Sequence, residues 1–214
     1  MTDLPDDFDP EADRRRVDRE LAERVEAEHR ARILGRLPSG LAKPTLEDLT
    51  RRIREPRFRT FATRWAIGYP SAVLSGPSGS GKTSACAVAF RRILEAPGGH
   101  WRGLRWVSVQ RFIDSRRSRR EPAPEDVDPV AKLEMATLLV LDDLGQEPAQ
   151  DWAREPIQGL VDARYMSGRI TITTTELTHV QLIDRYGTAL VRRLYEGRSD
   201  GAQGSVIEAT RRAA

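Results

Sequence analysis

The stretch AVLSGPSGSGKTSACAVAFRRIL, Ala72 to Leu94, decides the fold. Its first four residues, Ala72–Ser75, are a short apolar run of the kind that forms a buried strand. Gly76–Thr83 then fits G-x-x-x-x-G-K-[S/T], and Thr83–Leu94 reads as a helix stopped by Pro97, Gly98 and Gly99. The chemistry needs these residue types. Glycines let consecutive backbone N–H groups turn inward around phosphate oxygens, and the helix after the loop points its positive end at the same anion. Lys82 would reach the β- and γ-phosphates, and Thr83 would offer a hydroxyl to Mg2+. The candidate nucleotide-binding residues are therefore Gly76, Pro77, Ser78, Gly79, Ser80, Gly81, Lys82, Thr83 and Ser84, and the implied cofactors are ATP and Mg2+. A strand before the loop and a helix after it supply context that a chance match lacks.

A second element follows later in the chain. Thr137–Leu141 is a continuous apolar strand of the buried parallel type, and it delivers Asp142 and Asp143 at its end. Asp142 would hold Mg2+ through water, and Asp143 would orient and deprotonate an attacking water. An acidic turn after a strand is common, so this pair gains its meaning from the phosphate loop.

The remaining pattern alternates strands with helices. Leu104–Val109 reads as a strand, followed by a helix to about Arg119 and a loop marked by Pro122 and Pro124. Pro129–Ala136 is helical. Asp151–Met166 is a helix ending near Gly168, and Ile170–Thr175 is a β-branched strand. Helices are expected at about Thr178–Tyr186 and Thr188–Tyr195, then a loop over Gly197–Gly204 and a last strand at Val206–Thr210. Such alternation predicts an α/β fold, a parallel sheet flanked on both faces by helices. Before this core, residues 1–10 are acidic and expected to be disordered. Glu11 to about Leu37 reads as one charged helix with a thin stripe of Val17, Leu21, Val25 and Ile33/Leu34, ended by Pro38, Ser39 and Gly40. Thr45 is placed to cap a short helix with Asp48 three residues on. Pro56 to Ile67 is a basic helical stretch carrying Phe58, Phe61 and Trp65. The expected organisation is an N-terminal arm and linker over residues 1–44 and a nucleotide-binding domain over 45–214.

Of the 214 residues, 39% are hydrophobic and 31% charged, enough for one core beneath a heavily charged surface. The single cysteine, Cys86, excludes an intrachain disulfide framework and is expected to be a small core residue. No apolar run approaches the length of a membrane span. A soluble, cytoplasmic protein without a membrane partner is expected. The formal charge of +3 does not announce nucleic acid, but 32 of the 35 basic residues are arginine, since only Lys43, Lys82 and Lys132 are lysine. Arginine suits phosphate forks and trans-acting fingers.

Five pieces, in order, resemble the DnaC/IstB family of AAA+ proteins, the helicase loaders and transposition helper ATPases. They are GPSGSGKT (76–83), LLVLDDLGQE (138–147), DWAREPIQGLVDARYMSGR (151–169), ITITTTEL (170–177) and RYGTALVRRL (185–194). The resemblance covers roughly residues 45–210 and implies a P-loop AAA+ ATPase with a reduced or absent lid. It implies ATP hydrolysis that is slow and stimulated by DNA or a partner. The strand from Ile170 would be the sensor-1 strand. Glu176 stands where the family has Asn, which leaves γ-phosphate sensing to Glu176 with Thr175 or Thr174. The family's arginine finger falls on Arg193, which would act on the nucleotide of a neighbouring subunit and so imply self-association. A sensor-2 arginine would fall near Arg211.

Arg111, Arg116, Arg117, Arg119 and Arg120 cluster after the second strand, where related initiators and loaders contact single-stranded DNA; the bland alternative is a solvated loop. Phe112 is placed either to stack on a base or, better, to pack in the core. The resemblance also implies a protein partner, a replicative helicase or a transposase, with the N-terminal helix as docking arm. Rival readings are a P-loop small-molecule kinase and a nucleotide-dependent scaffold that does not hydrolyse. No Leu-Ser-Gly-Gly-Gln-like signature supports an ABC-type ATPase.

Overall fold

The computed structural model describes residues 9–65, 71–96, 103–117, 130–196 and 204–209. The acidic start, the Pro122/Pro124 loop and Arg119, Arg120 and Arg211 lie outside them, as do the side chain of Arg117 and most of Gly197–Gly204. The elements in chain order are α1 (Pro10–Leu34), α2 (Ser39–Ala42), α3 (Leu46–Arg51), α4 (Pro56–Arg64), β1 (Ala72–Ser75), α5 (Lys82–Glu95), β2 (Leu104–Ser108), α6 (Val109–Arg117), α7 (Val130–Glu134), β3 (Leu138–Leu144), α8 (Asp151–Met166), β4 (Ile170–Thr175), α9 (His179–Glu196) and β5 (Ser205–Glu208).

The strands form one parallel sheet in the order β2-β3-β4-β1-β5. Alternate residues of the buried strands feed opposite faces. Leu138 and Val140 of β3, with Ile170 and Ile172 of β4, pack into a core shared with α3, α4 and α5. Leu139 and Leu141 join Val73 and Val107 beneath α6, α8 and α9. Both faces are covered, which is why β3 reads as an unbroken apolar run. Each such fully buried aliphatic side chain contributes about 1.5–3 kcal/mol. Cys86 and Phe112 are core residues, so Phe112 is not a stacking platform.

Caps fix the shorter helices. Thr45 and Asp48 form the expected reciprocal box at the start of α3. Asp9 accepts from the amides of Glu11 and Ala12 to start α1. The stripe Val17, Leu21 and Val25 of α1 is exposed, whereas Ile33, Leu37 and Leu41 enter the first core. The arm is thus anchored by its end. The two helices expected at the C-terminal side form α9, which is broken at Gly187, where φ is 82°. No helix among the described residues is long and apolar enough to cross a membrane.

Candidate phosphate-binding site

The site is built at the carboxyl ends of β1, β3 and β4, where open parallel sheets bind ligands. The loop leaves β1 at Gly76, whose N–H donates to the Thr175 carbonyl of β4 at 3.2 Å. It closes on itself through Ser80, whose Oγ donates to the Pro77 carbonyl at 2.8 Å. It then enters α5 at Gly81, where φ is 99°. A side chain at Gly81 would meet Ile53 Cα at 2.6 Å, so only glycine lets the loop lie against the α3–α4 turn. The first amides of α5 have no carbonyl a turn back within the helix and face the loop's concavity.

Lys82 is buried, and its Nζ donates to the carbonyls of Gly76 at 2.7 Å and Pro77 at 3.0 Å. Glu176 Oε1 lies 3.9 Å away. Burial pulls the Lys82 ammonium down, and Glu176, then Asp143 and Asp142, oppose this.

The strand β3 does not end at Leu141, as its apolar run suggests. Its ladder with β4 passes through an irregularity between Leu141↔Thr173 and Leu144↔Thr175. Asp143 sits there at φ 60°, a left-handed conformation uncommon for a residue with a side chain. The bulge re-aims the acidic pair, as bulges beside active sites do. Asp142 Oδ1 accepts from Thr83 Oγ1 at 3.1 Å and Thr174 Oγ1 at 2.7 Å. Thr174 Oγ1 in turn accepts from the Asp143 amide at 2.9 Å. Burial pushes the Asp142 carboxyl up to about 6, against the lowering effect of the Thr174 hydroxyl. Burial also raises Asp143, with Lys82 lowering it and Glu176 raising it.

A cleft of about 620 Å3 opens over these groups, lined by the loop, Asp143, Gln146 and Glu176 together with Arg51, Arg52 and Arg54. Of the nine expected nucleotide-binding residues, Ser78, Gly79, Gly81, Lys82, Thr83 and Ser84 line it, and Gly76, Pro77 and Ser80 do not. The residues suit a nucleotide and its cation. The loop offers amides and one ammonium to phosphate, while Thr83 and Asp142 offer hard oxygen donors of the kind Mg2+ takes along with water and phosphate oxygens.

Other expected residues fall elsewhere. Thr175 is fully buried and turned away: its hydroxyl donates to the Leu144 carbonyl at 2.7 Å and accepts from the Leu177 amide at 3.1 Å. It is a strut between β3 and β4, and Thr174 is the hydroxyl at the site. Arg193 does not line the cleft; it ion-pairs with Asp162 of α8. Arg111 and Arg116 are exposed on α6.

Two arrangements were not anticipated. Glu147 is buried and accepts from the Gly145 amide and Arg185 Nε, both at 3.0 Å, and from the Tyr186 hydroxyl. Arg164 is also fully buried. It donates from Nε to Thr171 Oγ1 at 2.9 Å and from Nη1 to the Ala136 carbonyl at 2.9 Å, and it also reaches the carbonyls of Leu133, Glu134 and Ile170. Burial pushes its guanidinium down to about 9, still ionised at neutral pH.

No protein-family model and no curated protein matches the chain. Solved structures do. The DnaC helicase loader is 22% identical with a TM-score of 0.54, over 72% of this chain and 86% of that one. DnaI is 16% identical with a TM-score of 0.60, over 81% of this chain and 95% of that one. The fold that the five sequence pieces suggest is borne out: a parallel sheet flanked by helices, similar to that of the DnaC helicase loader and DnaI.

Proposed function

We propose that the chain is an AAA+ ATPase of the helicase-loader kind, which binds ATP with Mg2+, engages single-stranded DNA and loads or remodels a partner. The observation that carries this reading is the link Thr83–Asp142–Thr174 beside Lys82, which gathers a cation site and a phosphate site at three strand ends. Likeness to the DnaC helicase loader supports the biological setting.

Each residue has a role on this reading. The loop amides and Lys82 hold the phosphates. Thr83 and Asp142 hold Mg2+, which when bound supplies charge against the phosphate oxygens. Thr174 keeps Asp142 and the Asp143 backbone in register. Asp143 orients the attacking water and takes its proton. Arg193, from a neighbouring copy, would stabilise charge at the reacting phosphate; within one chain it would have to leave Asp162 to do so. Arg111, Arg116, Arg117, Arg119 and Arg120 would follow the DNA backbone. The partner is a replicative helicase or, as in transposition helpers, a transposase, and the compartment is the cytoplasm.

The test measures ATP binding and turnover with and without single-stranded DNA. Wild type should bind ATP and hydrolyse it faster with DNA, and Lys82→Ala should bind it at least about tenfold more weakly, since a charge-assisted phosphate contact of about 1.5–3 kcal/mol is lost. Equal affinity in Lys82→Ala would end the assignment. Glu176 beside Lys82 favours a second reading, a scaffold that binds nucleotide without turnover. Tight binding with no hydrolysis under any DNA or partner condition would select it.

A further inference from the structure

We infer that Arg54 is a further phosphate-binding residue, supplied to the cleft from the N-terminal side of the loop. The inference rests on the nucleotide reading of the site and adds a residue to it.

Three arginines line the cleft beside the loop, and two are committed elsewhere. Arg51 pairs with Glu47 and, at 3.3 Å, with Asp48 on its own helix. Arg52 Nη1 donates to the Gly40 carbonyl at 2.7 Å. The Arg54 side chain makes no hydrogen bond or ion pair with another described residue, and its Nη1 lies 3.9 Å from where a Cβ on Gly79 would stand.

Its backbone belongs to the loop in all but sequence. The amides of Arg54 and Glu55 both donate to the Ser80 carbonyl at 3.1 Å. Ile53 is fully buried, and Arg59 Nη2 holds its carbonyl at 2.7 Å. The missing side chain at Gly81 allows this contact. Arg54 therefore springs from a fixed point at the cleft, so less freedom is lost when its planar fork closes on an anion.

Charge supplies the reason. Asp142, Asp143 and Glu176 face Lys82, so the inner wall carries three carboxyls to one ammonium. A triphosphate entering there meets repulsion that the loop amides and Lys82 alone must offset at that depth. A guanidinium on the open wall adds the missing positive charge and can hold phosphate oxygens bidentately.

The test is a set of titrations on the full chain with adenosine, ADP, ATP and inorganic tripolyphosphate, for wild type, Arg54→Ala, Arg54→Lys, Arg51→Ala and Lys82→Ala. Arg54→Ala should weaken ATP and tripolyphosphate by about tenfold, as loss of a partly solvated charge-assisted contact does. Adenosine affinity should stay within about twofold, Arg54→Lys should recover part of the loss, and Arg51→Ala should change little. The thermal midpoint should not move, because the side chain is exposed. Unchanged ATP affinity in Arg54→Ala overturns the proposal. So does an equal loss in Arg51→Ala, which would mean a diffuse field, or a loss confined to adenosine-containing ligands, which would mean stacking on the base. If Lys82→Ala also leaves ATP and tripolyphosphate binding intact, the reading of the whole site fails; if only Arg54→Ala does, that reading stands.

Discussion

Replacing Glu176 with glutamine removes one negative charge 3.9 Å from the Lys82 ammonium while keeping the side chain's shape. This carboxylate forms an ion pair with Lys82. On the proposed reading, the γ-phosphate must take Lys82 from it and then sit beside it. At that separation, two unit charges interact by about 1 kcal/mol in bulk water and about 4 kcal/mol at an effective dielectric constant near 20. Lys82 is buried, but the Glu176 side chain is 39% exposed, and water screens it. The effect therefore falls near the lower end, about 1–2 kcal/mol, or about 5–30-fold in affinity. ATP should bind Glu176→Gln more tightly by that factor. ADP, lacking the group that competes for the same space, should gain less than about threefold. Displacement of a fluorescent nucleotide by ATP and by ADP, with and without Mg2+, measures both. Unchanged ATP affinity, or equal tightening of both nucleotides, would refute the placement of Glu176 against the γ-phosphate. Weaker ATP binding only with Mg2+ would make Glu176 a cation ligand instead.

Asp142→Asn should stabilise the metal-free protein, by up to about 3 kcal/mol at neutral pH, because a carboxyl raised from 3.8 to about 6 carries that cost when ionised and asparagine keeps an acceptor for both threonines. The sign follows from linkage: the folded state holds the proton longer, so the cost is present above about 6, absent below about 3.8, and stability falls as pH rises between them in wild type but not in the variant. Thermal melts across that range check it, and the same melts should show that Mg2+ no longer adds to stabilisation by ATP. Asp143→Asn should bind ATP normally yet turn it over at least about a hundredfold more slowly, as loss of a general base does; wild-type turnover would place the base elsewhere. Arg193→Ala should do likewise, and mixing the two inactive proteins should restore activity at interfaces that pair an intact Asp143 with an intact Arg193. Inactivity in a demonstrated mixed assembly would leave Arg193 as the structural partner of Asp162.

The elements were legible where a periodic pattern met a stop. Ala72–Ser75, Asp151–Met166 and Ile170–Thr175 fall where the apolar runs and flanking breakers put them. What escaped depends on partners distant in the chain. Three consecutive threonines, Thr173 to Thr175, carry no mark of which one serves Asp142. The register with β3 decides it, because Leu141 faces Thr173, Leu144 faces Thr175, and the bulge leaves Asp142 and Asp143 opposite Thr174. Arg164 looks like any surface arginine until carbonyls from α7, β4 and the residues between α7 and β3 surround it. Arg54 escaped for another reason: its tie to the loop runs through backbone amides, and amides leave no trace in a sequence.

Glu147 ties the segment after β3 to the first half of α9. Its carboxylate is buried and held by the Gly145 amide, Arg185 and Tyr186, and Arg185 also donates to the Glu147 carbonyl. Burial and the Glu147 carboxylate keep the Tyr186 phenol protonated, far above its ordinary range. Pulling a partner from a buried charge costs about 3–5 kcal/mol, more than a small shift of a loop can supply. The segment after β3 and the first half of α9 are therefore tied together through Glu147. That half of α9 ends at Gly187, whose φ of 82° interrupts the helix immediately after Tyr186. Arg193 lies beyond the break and is tied to α8 through Asp162. The two ties are separable: Asp162→Asn should free Arg193 while leaving the Glu147 network whole, so a thermal midpoint that falls as far as that of Glu147→Gln would show that the two are not independent.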